Sequence, residues 1–394
     1  MKKILMATAA SALMSGTAFA EDVKVGVLLG FTGPLESLAP HIAGGAELAI
    51  AEVNESGLFM GGSTVTSVRG DSTCVDAAAA TAAAERLVTG EGVAGIVGAM
   101  CSGATGAVLT SVALPNGVVQ ISPSATSPGL STIEDNGLFF RMAPSDARQG
   151  EIMADIITSR GINEVAVTYT NNDYGKGLAD SFAAAFEAAG GTVTINAAHE
   201  EGKADYSAEV GALASAGGQA LVVAGYSDQG GSGIIQGSLD TGAFDTFVLP
   251  DGMVSDILTE KFGSDIDGSF GQHPSSANDG AGKLEEMLAA AEIDGTSPYA
   301  KEGYDSAAVL LLAMQAAGST DGAAVSAAVT EVANAPGEPI GPGELAKGLE
   351  ILAAGGDIDY VGGSDVELIG PGESGGSYRE IEIKDGAIEA VKFH

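Results

Sequence analysis

Met100-Cys101-Ser102-Gly103-Ala104 opens a stretch that passes through a small-residue helical segment and a short apolar strand at 117–121. It ends in Ser122-Pro123-Ser124-Ala125-Thr126-Ser127-Pro128. Each half places hydroxyls and free backbone amides just after a buried strand. Open α/β sheets bind ligands there, because strand ends leave a crevice and helix N-termini offer unpaired N–H groups to anions. Two such turns on neighbouring strands point to one site for a small carboxylate.

Outward from that stretch, the N-terminus reads as an export leader. Lys2 and Lys3 precede an apolar run over 4–14, and Ala18-Phe19-Ala20 is a small-residue cleavage signal. The apolar run is too short to span a bilayer. No cysteine follows the cleavage signal, so no lipid anchor is expected. Residues 1–20 are therefore read as a signal peptide, and the mature chain as exported and soluble without membrane insertion, expected to be a monomer.

The 394 residues carry 17 Lys and Arg against 52 Asp and Glu, a formal charge of −35. Such a surface repels nucleic acid and anionic membranes, so neither is an expected partner. The acidity fits solubility or a saline setting, and no D-x-D-x-D-G calcium loop occurs. Two cysteines, Cys74 and Cys101, in an exported chain read as a structural disulfide. Closing that loop is worth roughly 3–4 kcal/mol on the chain-entropy model.

Val- and Ile-rich runs at 23–29, 93–97, 117–121, 165–169, 220–224 and 246–249 alternate with helical periodicity at 41–54, 76–88, 150–159, 177–188 and 227–239. Short apolar strands separated by helices are βαβ units of a parallel sheet covered on both faces. The pattern changes at Arg141-Met142-Ala143-Pro144 and again at Gly271-Gln272-His273-Pro274, after which helix-rich sequence runs to about Ala354. Period-two alternation around Pro371-Gly372 and Asp385-Gly386 predicts antiparallel hairpins in the tail. The expected class is α/β with two doubly wound lobes. Lobe 1 takes 21–142 plus 273–353, and lobe 2 takes 143–272 plus 354–394.

An ordered set of short matches then emerges: Gly30-Phe31-Thr32-Gly33-Pro34, Asp71 to Cys74, Met100-Cys101-Ser102, 122–128, and Asn172-Asp173-Tyr174-Gly175-Lys176-Gly177-Leu178. Ala224-Gly225-Tyr226, Pro250-Asp251-Gly252 and Gly303-Tyr304-Asp305 complete it. Across nearly the whole mature chain the sequence resembles the Leu/Ile/Val-binding type of periplasmic solute-binding protein, the receptor of an amino-acid ABC importer. The resemblance implies two lobes joined by three crossovers, closing on a ligand, with no cofactor and a membrane permease as partner.

It also implies roles. Ser102 offers its hydroxyl and N–H to the ligand carboxylate. The Ser124 carbonyl and Thr126 hydroxyl accept from the ammonium, and the Thr126 amide helps hold the carboxylate. Tyr174 covers the ligand, the Tyr226 hydroxyl meets the carboxylate, and Asp251 pairs with the ammonium. In many relatives that acid is glutamate, one methylene longer. By analogy Phe31, Met100 and Gln272 line the side-chain pocket. Branched-chain or other neutral amino acids are the expected ligands; relatives also take amides, urea or aromatic acids, and a ligand-sensing protein would have nearly the same sequence.

Enzyme readings find little support. His41, His199, His273 and His394 show no metal-ligand spacing, so no metal is expected. No G-x-S-x-G elbow occurs, and the Gly-rich piece at 230–233 lacks the dinucleotide fingerprint. A catalytic role would rest on Asp251 alone as a general base.

Overall fold

A computed structural model describes residues 22–394; the leader expected over 1–20 lies outside them. The first sheet begins with β1 (Asp22–Leu29), β2 (Thr64–Asp71), β3 (Gly95–Gly98), β4 (Val119–Ser122) and β5 (Phe139–Arg141). The second begins with β6 (Glu164–Thr170), β7 (Thr192–His199), β8 (Ala220–Ala224), β9 (Phe247–Leu249) and β10 (Phe270–Pro274). The remaining strands are β11 (Glu338–Ile340), β12 (Ile358–Tyr360), β13 (Leu368–Ile369), β14 (Glu373–Ser374), β15 (Tyr378–Lys384) and β16 (Ala387–Phe393).

Two seven-stranded sheets result, in the orders β13-β14-β5-β4-β3-β1-β2 and β16-β15-β10-β9-β8-β6-β7. β3, β4 and β8 are buried along their whole length. Helices cover both faces, so an inner parallel strand need not alternate. β2 and β7 are edge strands with mixed burial, and their sequences carry no continuous apolar run. The antiparallel pairs β13–β14 and β15–β16 turn at Pro371-Gly372 and Asp385-Gly386, as the alternation predicts.

Capping residues start the helices that matter to the cleft. Asp76 Oδ1 accepts from the Ala78 and Ala79 amides at the head of Ala77–Glu85, a cap worth about 1 kcal/mol. Asn172 Oδ1 accepts from the Gly175 amide at the head of Asp173–Ala188. The long helix Ala300–Ala317 is buried from Ala300 to Gln315 and crosses Ala39–Ser56 closely. A Cβ at Gly45 would stand 2.1 Å from the Ala300 carbonyl oxygen, so only glycine permits that crossing.

The chain passes between lobes three times: after β5, after β10, and between Ser374 and Tyr378. The last passage corrects the boundary expected at 353/354. β12 pairs with β11 and β14 pairs with β5, so residues through Ser374 belong to the first lobe. Asp305 supplies the reason. Its buried carboxylate accepts from the Tyr360 hydroxyl at 2.7 Å and from the Gly363 and Ser364 amides at 3.1 and 2.7 Å. That ties the turn after β12 to the first lobe's central helix. β10 likewise runs on to Pro274 in the second sheet, two residues past the boundary expected after Gln272.

Candidate functional site

A small cavity lies between the lobes, at the carboxyl ends of β3, β4, β8 and β9. Met100, Ser102, Ser124, Tyr174, Tyr226 and Asp251 all line it. Residues drawn from five segments of the sequence therefore meet in one place. Thr126, expected beside them, is fully buried and does not line the cavity.

The first-lobe half is a pair of interlocked turns. Ser102 begins the helix Ser102–Val108, with Cys101 in the capping position ahead of it. Its Oγ accepts from the Ser127 amide at 3.1 Å, which keeps the hydroxyl proton for another acceptor. Ser124 Oγ donates to the Met100 carbonyl at 2.9 Å. The Cys74–Cys101 disulfide, Cα–Cα 5.1 Å, anchors this turn to the loop after β2. Arg141, almost fully buried, donates through Nη1 to the Ala125 and Ser127 carbonyls at 3.1 and 3.0 Å. It thereby fixes the curvature of the turn that carries Thr126.

The second-lobe half centres on Asp251, in the turn after β9. Gln149 Nε2 and the Tyr174 hydroxyl donate to Oδ1 at 2.8 and 2.7 Å. The Tyr299 hydroxyl donates to Oδ2 at 2.6 Å from the opposite lobe. A carboxylate accepts about four such bonds, so capacity for one more donor remains. Tyr174 and Tyr226 stack with ring centroids 5.2 Å apart and planes 10° from parallel. Asn172 joins them: its Oδ1 caps the helix bearing Tyr174, and its Nδ2 donates to the Tyr226 hydroxyl at 3.2 Å.

Charge is the distinctive property here. Burial pushes the Asp251 carboxyl above its ordinary range, against the three donors that pull it down. Asp146, at the head of the helix Asp146–Ser159, is also fully buried. Burial first, and then the charge of Asp251, raise it well above the usual carboxylate range. The Thr126 hydroxyl stands beside it, yet neither side chain makes an aligned hydrogen bond within the described residues. Arg141 is near, but its guanidinium is engaged by the two carbonyls, Ser131 and Glu373. Two buried carboxyl groups thus share a site, and Arg141, the cation that acts on Asp146, is committed elsewhere.

Phe31 and Gln272, expected in the side-chain pocket, do not line the cavity. Phe31 is half-buried against the apolar core, and the Arg69 guanidinium lies 5.2 Å from its ring centroid. Gln272 is enclosed within β10. Leu35, Leu38 and Tyr299 form the wall instead. Tyr299 adopts a left-handed backbone, φ 66°, a conformation costly for a non-glycine residue and one that recurs at ligand sites. The Asn/Asp enrichment that flags such turns in sequence is absent here. The sequence offers no sign of Asp146 or Gln149 as site residues: Ser145, ahead of Asp146, caps the helix by accepting from the Ala147 amide, an ordinary helix start.

The fold and cavity define a class. The chain belongs to the periplasmic binding proteins, whose family model matches residues 22–347. It is a periplasmic, non-catalytic solute-binding protein that captures a small ligand between two lobes. It is 30% identical over 359 residues to the Leu/Ile/Val-binding protein homolog 3 of Brucella melitensis, covering 90% of this chain and 93% of that one. Among solved structures it is similar to the leucine-binding protein LivK of Thermotoga maritima, with TM-score 0.79, 23% identity and 94% and 98% of the two chains covered. A Rhodopseudomonas palustris solute-binding protein in complex with p-hydroxybenzoic acid has the same fold at TM-score 0.77 and 17% identity, covering 95% and 97%. Among the described residues no single helix is long and apolar enough to cross a membrane.

Proposed function

We propose that this protein captures a neutral, aliphatic α-amino acid and delivers it to the permease of an ABC importer. One observation carries the reading: Asp251 is buried, hydrogen-bonded by three neutral donors, and has no cationic partner among them. A carboxylate in that setting gains most from an ammonium, which supplies charge and donors together. The Ser102 turn, with the start of a helix behind it, suits the carboxylate of the same ligand. The intervening wall of Leu35, Leu38 and Met100 suits an aliphatic side chain, and branched-chain amino acids fit best. Ser124 and Thr126 contribute from the second turn, while Tyr174 and Tyr226 close over the ligand.

The name of the Brucella relative supports this choice. The benzoate-type ligand of the Rhodopseudomonas protein would leave Asp251 without its counter-charge. A thermal-shift screen of the mature protein against the standard amino acids, benzoate and 4-hydroxybenzoate separates the two. A ligand that binds only the native state raises the midpoint with concentration. L-leucine, L-isoleucine or L-valine should do so; a shift with the aromatic acids and none with amino acids would end the assignment.

A further inference from the structure

We infer that Asp228 is a latch that holds the lobes closed without touching the ligand. Its carboxylate accepts two hydrogen bonds from Ser37 of the opposite lobe: the amide donates to Oδ2 and the hydroxyl to Oδ1, both at 2.8 Å. The Asp228 amide donates to the Pro34 carbonyl at 3.2 Å. Ser37 Oγ also lies 3.2 Å from Ser255 Oγ of the second lobe. All of these contacts cross the cleft.

The latch is built in advance on the second-lobe side. The buried Ser227 hydroxyl donates to Asp228 Oδ1 at 2.8 Å, and the Ser227 amide donates to the Gly252 carbonyl. The carboxylate is therefore aimed before the first lobe arrives, so little rotamer entropy is lost on closure. Its register matters as well. Ser37 lies between Leu35 and Leu38, which line the cavity, and Asp228 lies two residues beyond Tyr226, which also does. Ser37, Asp228 and Ser255 themselves do not line it. Closing the latch thus seats both walls of the cavity while making no contact that depends on which ligand is inside.

That geometry has a thermodynamic consequence. A contact made only in the closed state multiplies the closure equilibrium, and every ligand that requires closure inherits the same factor. Hydrogen bonds to a charged group set that factor at roughly tenfold to a hundredfold. Asp228 therefore scales affinity and slows release without altering selectivity.

Two measurements test this, and only the second rests on the amino-acid reading above. In ligand-free protein, Ser37→Cys combined with Asp228→Cys should cross-link under mild oxidant, detected by mass spectrometry of a non-reduced digest as a linked peptide pair spanning positions 37 and 228; failure to cross-link overturns the latch. With L-leucine and L-valine as probes, Asp228→Ala should raise both dissociation rates by the same factor of about ten or more, and Ser37→Ala by less. Unchanged rates, or a loss differing clearly between the two probes, overturns it. If neither probe binds the wild type while the cross-link forms, the ligand assignment falls and the latch stands.

Discussion

The Tyr299 hydroxyl reaches across the cleft to donate to Asp251 Oδ2 at 2.6 Å, so the acid that faces the ligand from one lobe is oriented by a tyrosine of the other. The strained backbone at Tyr299 places the ring there, and the helix Ala300–Ala317 behind it is rigidly buried. Closure consequently completes the hydrogen bonding of Asp251 rather than merely covering it. Tyr299→Phe keeps the ring and removes the donor. Loss of a hydrogen bond to a charged group should weaken L-leucine binding about tenfold to a hundredfold, measured by calorimetry. Unaltered affinity would show that the bond contributes nothing to capture.

Asp251→Asn removes the charge while keeping the shape. Truncating a buried charge pair costs about 2–5 kcal/mol of binding, so L-leucine affinity should fall by at least thirtyfold or so. Asp251→Ala is the poorer test, because Gln149, Tyr174 and Tyr299 would each lose an acceptor. A ligand-free midpoint near that of the wild type, with L-leucine affinity reduced by that factor, is the expected signature of Asp251→Asn.

Arg141 and Glu373 bind the first and third crossovers together, with Nη2 and Nε donating to one carboxylate oxygen at 2.5 and 3.1 Å. Arg141→Met would strand that carboxylate and release the carbonyls of Ala125 and Ser127. Breaking such a buried pair from one side costs about 3–5 kcal/mol. Chemical denaturation should register that loss, and ligand affinity should drop because the Thr126 turn relaxes. Full stability in the variant would refute the role.

The pH dependence follows from the raised carboxyl groups. Folded protein holds protons on Asp146 and Asp251 at pH values where the unfolded chain has released them. This contribution to stability is complete below the ordinary carboxylate range and is lost as pH rises through the raised values. Asp146→Asn should therefore raise the neutral-pH midpoint relative to wild type and flatten its pH profile. Binding an ammonium favours ionised Asp251, so L-leucine affinity should decline as pH falls through the raised Asp251 value. Parallel midpoint curves for variant and wild type, over about pH 4 to 8, would count against it.

Cys74→Ser with Cys101→Ser should cost roughly 3–4 kcal/mol by freeing the closed loop in the unfolded chain. Because Cys101 directly precedes Ser102 and lines the cavity, ligand affinity should fall too. An unchanged unfolding midpoint in both oxidised wild type and double variant would remove the bridge from the stability account.

Local pattern determined a great deal. Apolar runs specify the inner strands, since a strand buried on both faces must be apolar throughout, and polar turns after β3 and β4 mark where backbone amides are left free. The matching order of short segments identified Ser102, Tyr174, Tyr226 and Asp251 as candidates. Edge strands β2 and β7 escaped, because half-exposed strands tolerate polar residues. Tertiary structure alone decided which residues turn inward. Phe31 and Leu35 lie in one loop, yet Leu35 lines the cavity while Phe31 packs against the core beside Arg69. Asp305 holds the segment after Ala353 to the first lobe, and Asp146 comes to share a buried site with Asp251 across 105 residues. Such pairings depend on burial and charge between distant segments, and local periodicity carries no trace of them.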